Sequence, residues 1–396
     1  MITAACLPLL IGAAGLAVDT AQWGYSRRQL QREADSAALA GAFAIAQGKD
    51  AVAAATSDLA RSNTITLTGS ADIHSAPTTG AYAGNAQAIR VSISTTQRLP
   101  FSGLFMTTAP VIPASATAAV VSNGNYCALA LGSANGVGIK MQGSASLNFG
   151  CGLATNATGS NAVSAGGSST ITATPVSAVG GLTASSNYVG GTQLLPYSLP
   201  QPDPFARLSN PAPSSCQAQV TVAPSATQTL SPGCYQGINI KGTATLSAGT
   251  YYIDGSSFSA GSQASITGTG VTIVLTSSTA GTNPSSIATL DINGGATVNL
   301  TASTAGTYAG VLFYQDRRAL DSGANTINGN AASKLQGAFY FPSQELDFSG
   351  TSGMTTDCMQ LVALRLTFIG NTAVSNTCPA GSGASSFIGS QVRLVE

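Results

Sequence analysis

A short pattern recurs through most of this chain and limits what it can fold into. It reads apolar-x-apolar-x-small-x-small-x-apolar. It occurs as Ile139-Met141-Gly143-Ala145-Leu147, Val163-Ala165-Gly167-Ser169-Ile171 and Ile238-Ile240-Gly242-Ala244-Leu246. Further copies are Phe258-Ala260-Ser262-Ala264-Ile266 and Leu290-Ile292-Gly294-Ala296-Val298. Leu346-Phe348-Gly350-Ser352-Met354 and Leu366-Phe368-Gly370-Thr372-Val374 complete the clear ones, and a degenerate copy surrounds Ile327 and Gly329. Alternation of period two gives strands with one buried face. The small central residue marks a bend that no bulky side chain fits. Where nothing is inserted, neighbouring copies start about 20–24 residues apart, the period of a solenoid. The expectation is a mainly β chain whose body is a right-handed parallel β-helix. A β-sandwich with regular turns is the alternative.

The cysteines carry the same period. Cys6 lies in an apolar N-terminal run, and six others lie in the body. Cys127 and Cys151 are 24 apart, the offset of Gly143 and Gly167; Cys358 and Cys378 are 20 apart, the offset of Gly350 and Gly370. Residues one coil apart stack at about 4.8 Å, within the Cα separation of about 4.4–6.8 Å that a disulfide needs. Cys216 and Cys234 would close a loop after a proline-rich stretch. Six cysteines admit many pairings; the shared register favours Cys127–Cys151, Cys216–Cys234 and Cys358–Cys378. Such bonds imply an oxidising compartment, the periplasm or the cell surface. No spacing suggests zinc.

Composition excludes several classes. Only 8% of residues are charged and the net charge is zero. Four Lys and eleven Arg make a poor nucleic-acid surface. A chain that is 44% hydrophobic is not disordered. His74, the single histidine, sits in a polar turn and reads as a surface residue. P-loop and dinucleotide fingerprints are absent, as are nucleophile elbows.

Ten of the thirty charges fall in residues 1–61, which sets that segment apart. Ile2 to Val18 carries no charge and spans roughly 25 Å as a helix, the short end for a bilayer. Trp23 and Tyr25 follow as an interfacial belt would. We expect residues 1–25 to be a single-pass anchor, with a basic flank upstream of Met1. A signal peptide fits less well, for want of a basic n-region and a cleavage site. Arg27, Arg28 and Arg32 oppose an outward body by the positive-inside rule, and the cysteines outweigh them. Residues 26–62 continue as an amphipathic helix. Ala34, Ala38, Gly41 and Ile45 lie on one small-residue face, which either packs on the chain's own next segment or meets a partner.

Residues 63–122 read as a small α+β module. Ala88 to Ser94 alternates as a strand, and LPFSGLFM (residues 99–106) reads as core filling. The body then runs over 123–396. It is interrupted at 195–215 by six prolines, read as a loop strapped to the side of the coils, with an interdomain hinge as the alternative. Its carboxylates are few. Asp316-Arg317-Arg318 is the compact group, and alternation along a strand keeps the three from converging, so it reads as a structural ion pair. Asp291 and Asp347 share one repeat position and would face outward, the single place where stacked carboxylates suggest calcium.

The N-terminal run LPLLIGAAGLAVDTAQWGYSRRQLQREADSAALAGA resembles the N-terminal segment of TadG-like proteins of Flp (tight-adherence) pilus assembly. The features are Gly15-Leu16-Ala17-Val18-Asp19, an Arg/Gln helix, and Ala34-Asp35-Ser36-Ala37-Ala38-Leu39-Ala40. Cys127-Ala-Leu-Ala-Leu131, Gly150-Cys151-Gly152, Asp203-Pro204, Pro232-Gly233-Cys234-Tyr235 and the run from Gly310 to Arg317 are similar to members with a glycine-rich β-helical region. The resemblance implies an inner-membrane protein with its body in the periplasm or envelope. Its partners would be pilus-system proteins or the cell wall, with self-association through open coil ends a further expectation. Members with a von Willebrand A-type domain carry a D-x-S-x-S metal site; Asp254-Gly-Ser256-Ser-Phe258 lacks the last serine, so no metal is expected. No catalytic residue and no cofactor are expected either. A β-helical glycan-binding or glycan-cleaving protein is the alternative function.

Overall fold

The computed structural model describes residues 2–61, 65–148, 150–329, 332–350, 354–371, 373–376 and 386–396; for 2–10, 324, 329, 354–357 and 373–376 it describes the backbone alone. The chain is mainly β with an N-terminal helix, and divides into two compact units. One comprises residues 1–122 with 390–396, the other 123–389. The body expected over 123–396 therefore ends seven residues early. From residue 390, within the last strand Phe387–Leu394, the chain belongs to the first unit, where Val395 N–H donates to Thr117 O at 2.9 Å.

In the first unit, helix α1 (Ile2–Ala46) is followed by α2 (Ala51–Arg61). Gly48, at φ +66°, turns the chain between them, and the Asp50 carboxylate caps α2 by accepting from Ala53 N–H at 3.0 Å. A three-stranded antiparallel sheet follows. Asp72–Ser75 pairs with Ala88–Thr96, which pairs with the first half of Val111–Ala130. Ile89, Val91 and Ile93 alternate inward from the middle strand and meet Leu30, Ala34, Ala37, Ala38 and Ala42 of α1. Alanines at helical spacing keep that face flat, so helix and sheet approach closely. Among the described residues no helix is long and apolar enough to cross a membrane. The single-pass span expected over 2–18 therefore lacks support here; for half of that stretch only the backbone is described.

In the second unit every described ladder is parallel, unlike the antiparallel pairing a sandwich would show. Each strand pairs with its counterpart one coil away, as in Ile139↔Val163, Ile238↔Phe258 and Leu346↔Leu366. Strands Ser265–Thr276 and Lys334–Gly350 turn a corner and take part in four ladders each. Both pair with Thr297–Ala302 and with Val311–Gln315, so the sheet closes on itself in a barrel-like circuit. The apolar members of the repeat point inward and stack in columns. One column runs Ala260, Ile292, Ile327, Phe348, Phe368, Met141, Ala165. Phe348 and Phe368 stack at 5.4 Å between ring centroids. The bend falls at the central position. Gly143 and Gly167 have φ of +78° and +66°, and a Cβ on Gly167 would lie 2.7 Å from the Gly143 carbonyl oxygen.

The coils do not stack in chain order. The described residues between 217 and 376 build one run, and its last coil lies on the first coil of the body. Leu361 pairs with Ala128, Leu366 with Ile139 and Val374 with Leu147. The run from Tyr126 then continues to Leu195, and residues 217–235 begin at the far end. Nine inter-coil steps separate these ends, about 43 Å at 4.8 Å each. The proline-rich segment 195–215 makes this return, and roughly 69 Å of extended chain is enough for it.

Candidate functional site

The return segment is held by the one compact charged group noted in the sequence. Asp316, fully buried, accepts two hydrogen bonds from the Arg318 side chain (2.9 and 2.6 Å) and one from Thr276 (2.7 Å). Burial pushes this carboxyl up, but those hydrogen bonds prevail and hold it below the usual carboxylate range. Arg318 also donates to Pro211 O at 2.9 Å. Arg317, in the turn that follows the strand Val311–Gln315, points the other way. It donates to the carbonyls of Phe205, Ala206 and Leu208, and through Nε to the Tyr340 hydroxyl at 2.5 Å. Tyr340 in turn donates to Asp203 at 2.8 Å, and its ring meets Phe205 edge-on at 5.2 Å. Burial raises the Tyr340 phenol, with Arg317 opposing and Asp203 adding, so it stays protonated and donates. The prolines leave carbonyls without strand partners, and two guanidinium groups satisfy them. All these groups point at one another or at the strap, not into a cleft.

Several other carboxylates are also spent on structure. Asp321 makes a bidentate pair with Arg365 (2.9 and 2.6 Å), which reaches Glu345 at 3.4 Å. Asp291 and Asp347 do lie in one column, but Thr326 lies between them, about 9.6 Å apart at two coil steps, too far to share one cation. Asp254 accepts from Ser278 N–H at 2.6 Å. Asp254, Cys216 and Cys234 are the single group of three metal-capable side chains among the described residues, and its two sulfurs are bonded to each other. His74 pairs with Asp72 at 2.7 Å on an exposed edge strand. Asp357 has only its backbone described.

Cys127 and Cys151 are joined with Cα atoms 5.8 Å apart, and Cys216 and Cys234 at 4.4 Å. Gln217 and Tyr235 form a parallel bridge beside the second pair. That bond is thus a coil-to-coil staple rather than the closure of a loop. The expected Cys358–Cys378 pair falls outside the described residues, because Cys378 does.

The small-residue face of α1 is used within its own unit. Ala34 and Ala38 are fully buried, Ile45 is half-buried, and a Cβ on Gly41 would lie 2.6 Å from Ile89 Cδ1. Of the two readings of this face, the structure places it on the chain's own sheet. The segment 99–106 departs from expectation the other way. Leu104 and Phe105 are 77% and 76% exposed, so this segment does not fill the core.

Sequence reasoning missed a buried polar trio. Gln315 Nε2 donates to Gln344 Oε1 (2.8 Å) and to Ala288 O (3.1 Å). Asn325 Nδ2 donates to the same Gln344 oxygen (2.9 Å), while Asn325 Oδ1 accepts from Leu290 N–H (2.9 Å). Asn325 occupies the inward position that Leu346 fills in the next coil. The degeneracy of that repeat copy was the signal: side-chain amides there replace missing ladder hydrogen bonds.

With this geometry in view, the comparisons bear on one segment. Residues 1–47 match the family model described as putative Flp pilus-assembly TadE/G-like. No curated protein and no solved structure matches the chain. The TadE/G-like segment associates the chain with pilus assembly and the cell envelope. It comprises α1, including the face packed on the sheet.

Proposed function

We propose that this is a non-enzymatic, membrane-anchored envelope protein that serves Flp pilus assembly or surface adhesion through protein–protein contacts. The observation that carries the reading is the family match over residues 1–47. The charge-free run 2–18 is the anchor in this reading, crossing the inner membrane once. The body is a right-handed parallel β-helix in the periplasm. Parallel pairing between successive coils and the inward apolar columns support that architecture. Two staples between coils suit an oxidising compartment. Asp316 and Asp321, each tied to an arginine, favour a scaffold over a glycan-cleaving enzyme, whose paired carboxylates must face substrate.

The test is a crosslinking pull-down of the full chain from envelope membranes, with peptide mapping without reductant. Recovery of pilus-system proteins with the body disulfides intact is the expected result. Free body thiols and no pilus protein would overturn the reading. Turnover of a polysaccharide that is lost in Asp321→Asn would replace it with the glycan-active alternative.

A further inference from the structure

The apolar loop at 99–106 is fastened to α1 at one level. The Phe101 ring lies directly over Gly15, so close that a Cβ there would clash with it. The Asp19 carboxylate accepts Phe101 N–H at 2.9 Å and Ser102 N–H at 2.5 Å. These contacts sit at the last turn of the charge-free run 2–18. Ser102–Leu104 form a single 3-10 turn, which turns the next side chains outward. Leu104, Phe105 and Met106 are exposed there, and so are Ile11, Leu16 and Val18 on α1. Exposed apolar side chains on both the loop and the helix it is fastened to point to an interaction site.

Its surroundings identify the chemistry. Exposed Arg27 and Arg28 follow on the helix, with the Arg27 guanidinium 5.4 Å from the Trp23 ring centre, and exposed Arg98 precedes the loop. Tyr25 is also exposed. Apolar tips, then Trp and Tyr, then arginines form the profile of a segment seated at a lipid headgroup boundary. Asp19, the acidic group facing this loop, is buried and committed to the loop's own N–H groups.

We propose that residues 101–106 are a second membrane contact, with Leu104 and Phe105 inserted at the acyl–headgroup boundary of an anionic bilayer. This rests on the anchored reading above. A helix alone leaves the unit free to swivel about its axis. A loop fixed to that helix at the boundary would hold the unit in one orientation to the membrane plane.

The chain has a single tryptophan, which makes the test direct. The full chain is reconstituted in phosphatidylcholine–phosphatidylglycerol vesicles whose acyl chains are brominated near the headgroup. Wild type reports on Trp23. W23F/F105W and W23F/L104W report on the loop from two exposed positions, so one poorly folded variant does not decide the matter. The expected result is bromine quenching and a blue shift for Trp23 and for both loop indoles. Quenching of Trp23 with unquenched loop indoles would overturn the loop contact and leave the anchor standing. A blue shift of the loop indoles without quenching would also overturn it, by showing protein rather than lipid around the loop. No quenching in any variant would overturn the anchor and the loop contact together.

Discussion

The two units bury apolar surface by different means. In the first, a flat alanine face of α1 lies on Ile89, Val91 and Ile93, so the close approach of backbones does the packing. In the second, large side chains stack coil upon coil, as Phe348 on Phe368, and the core is a set of columns. A column tolerates change along its length because each coil meets only its two neighbours. A flat helix face has no such slack, since one added methyl group meets the whole sheet.

The largest effect should come from opening a column. Phe348→Ala removes a fully buried ring between Phe339 and Phe368 and should cost the body about 3–5 kcal/mol. Urea denaturation followed by circular dichroism measures it. A loss under about 1 kcal/mol would mean that the coils close over the gap, and the columns would not be the source of stability.

This column is legible in the residues themselves, because Leu346-Phe348-Gly350 repeats the pattern of Leu366-Phe368-Gly370. The order of the coils is not. Every coil carries the same alternation, so sequence does not say whether the coil at Leu366 is followed by the next in the chain or, as found, by Ile139. The long return through 195–215 follows from that order and is equally hidden. Its prolines predict irregular backbone, but Arg317 and Arg318 lie more than a hundred residues from the carbonyls they bind. Within the first unit, the spacing of Ala34, Ala38 and Gly41 reveals a close-packed face without saying what covers it. LPFSGLFM misleads for a related reason: apolar residues predict burial, and burial in lipid leaves the same signature as burial in a core.

Removing the clip on the return segment should rank next. Arg318→Ala leaves the buried Asp316 carboxylate with Thr276 and the backbone N–H of residue 318 but no countercharge, at a cost of about 3 kcal/mol at neutral pH. The folded carboxyl titrates below its ordinary value, so its contribution is present above that value and is lost as pH falls through the lowered folded one. The gap between wild type and variant should therefore shrink in acid, and denaturation at neutral pH and near pH 3 tests this. Limited proteolysis should also cut the variant faster within 200–213. An unchanged gap in acid would show that Arg318 acts by packing alone.

Gly41→Val probes the other unit. Its new atoms would fall 2.6 Å from Ile89 Cδ1 and 3.1 Å from the Ala51 carbonyl oxygen, so overpacking should cost about 1–3 kcal/mol. Trp23 lies in this unit and reports its transition. Unchanged stability together with lost capture of pilus proteins would reverse the assignment of that face, making it a partner surface.

The smallest effect should carry the opposite sign. Asp347 is half-buried, and its Oδ1 has no hydrogen-bond partner. Burial and then Glu345 raise its carboxyl, while Lys140 opposes them. A raised folded value means that the ionised form costs stability above it, a cost relieved as pH falls toward the unfolded value near 4. Asp347→Asn should thus stabilise the body at neutral pH by at most about 1 kcal/mol, since solvent screens a half-exposed group. The gain should shrink as pH falls toward 4, because the raised wild-type carboxyl takes up its proton on the way. Asp316 and Asp347 would then respond to acid in opposite directions, although both lie in parallel strands or their immediate ends. If Asp347→Asn destabilises at neutral pH instead, Lys140 dominates at that position, and the column of polar residues on this face is held by attraction across two coils.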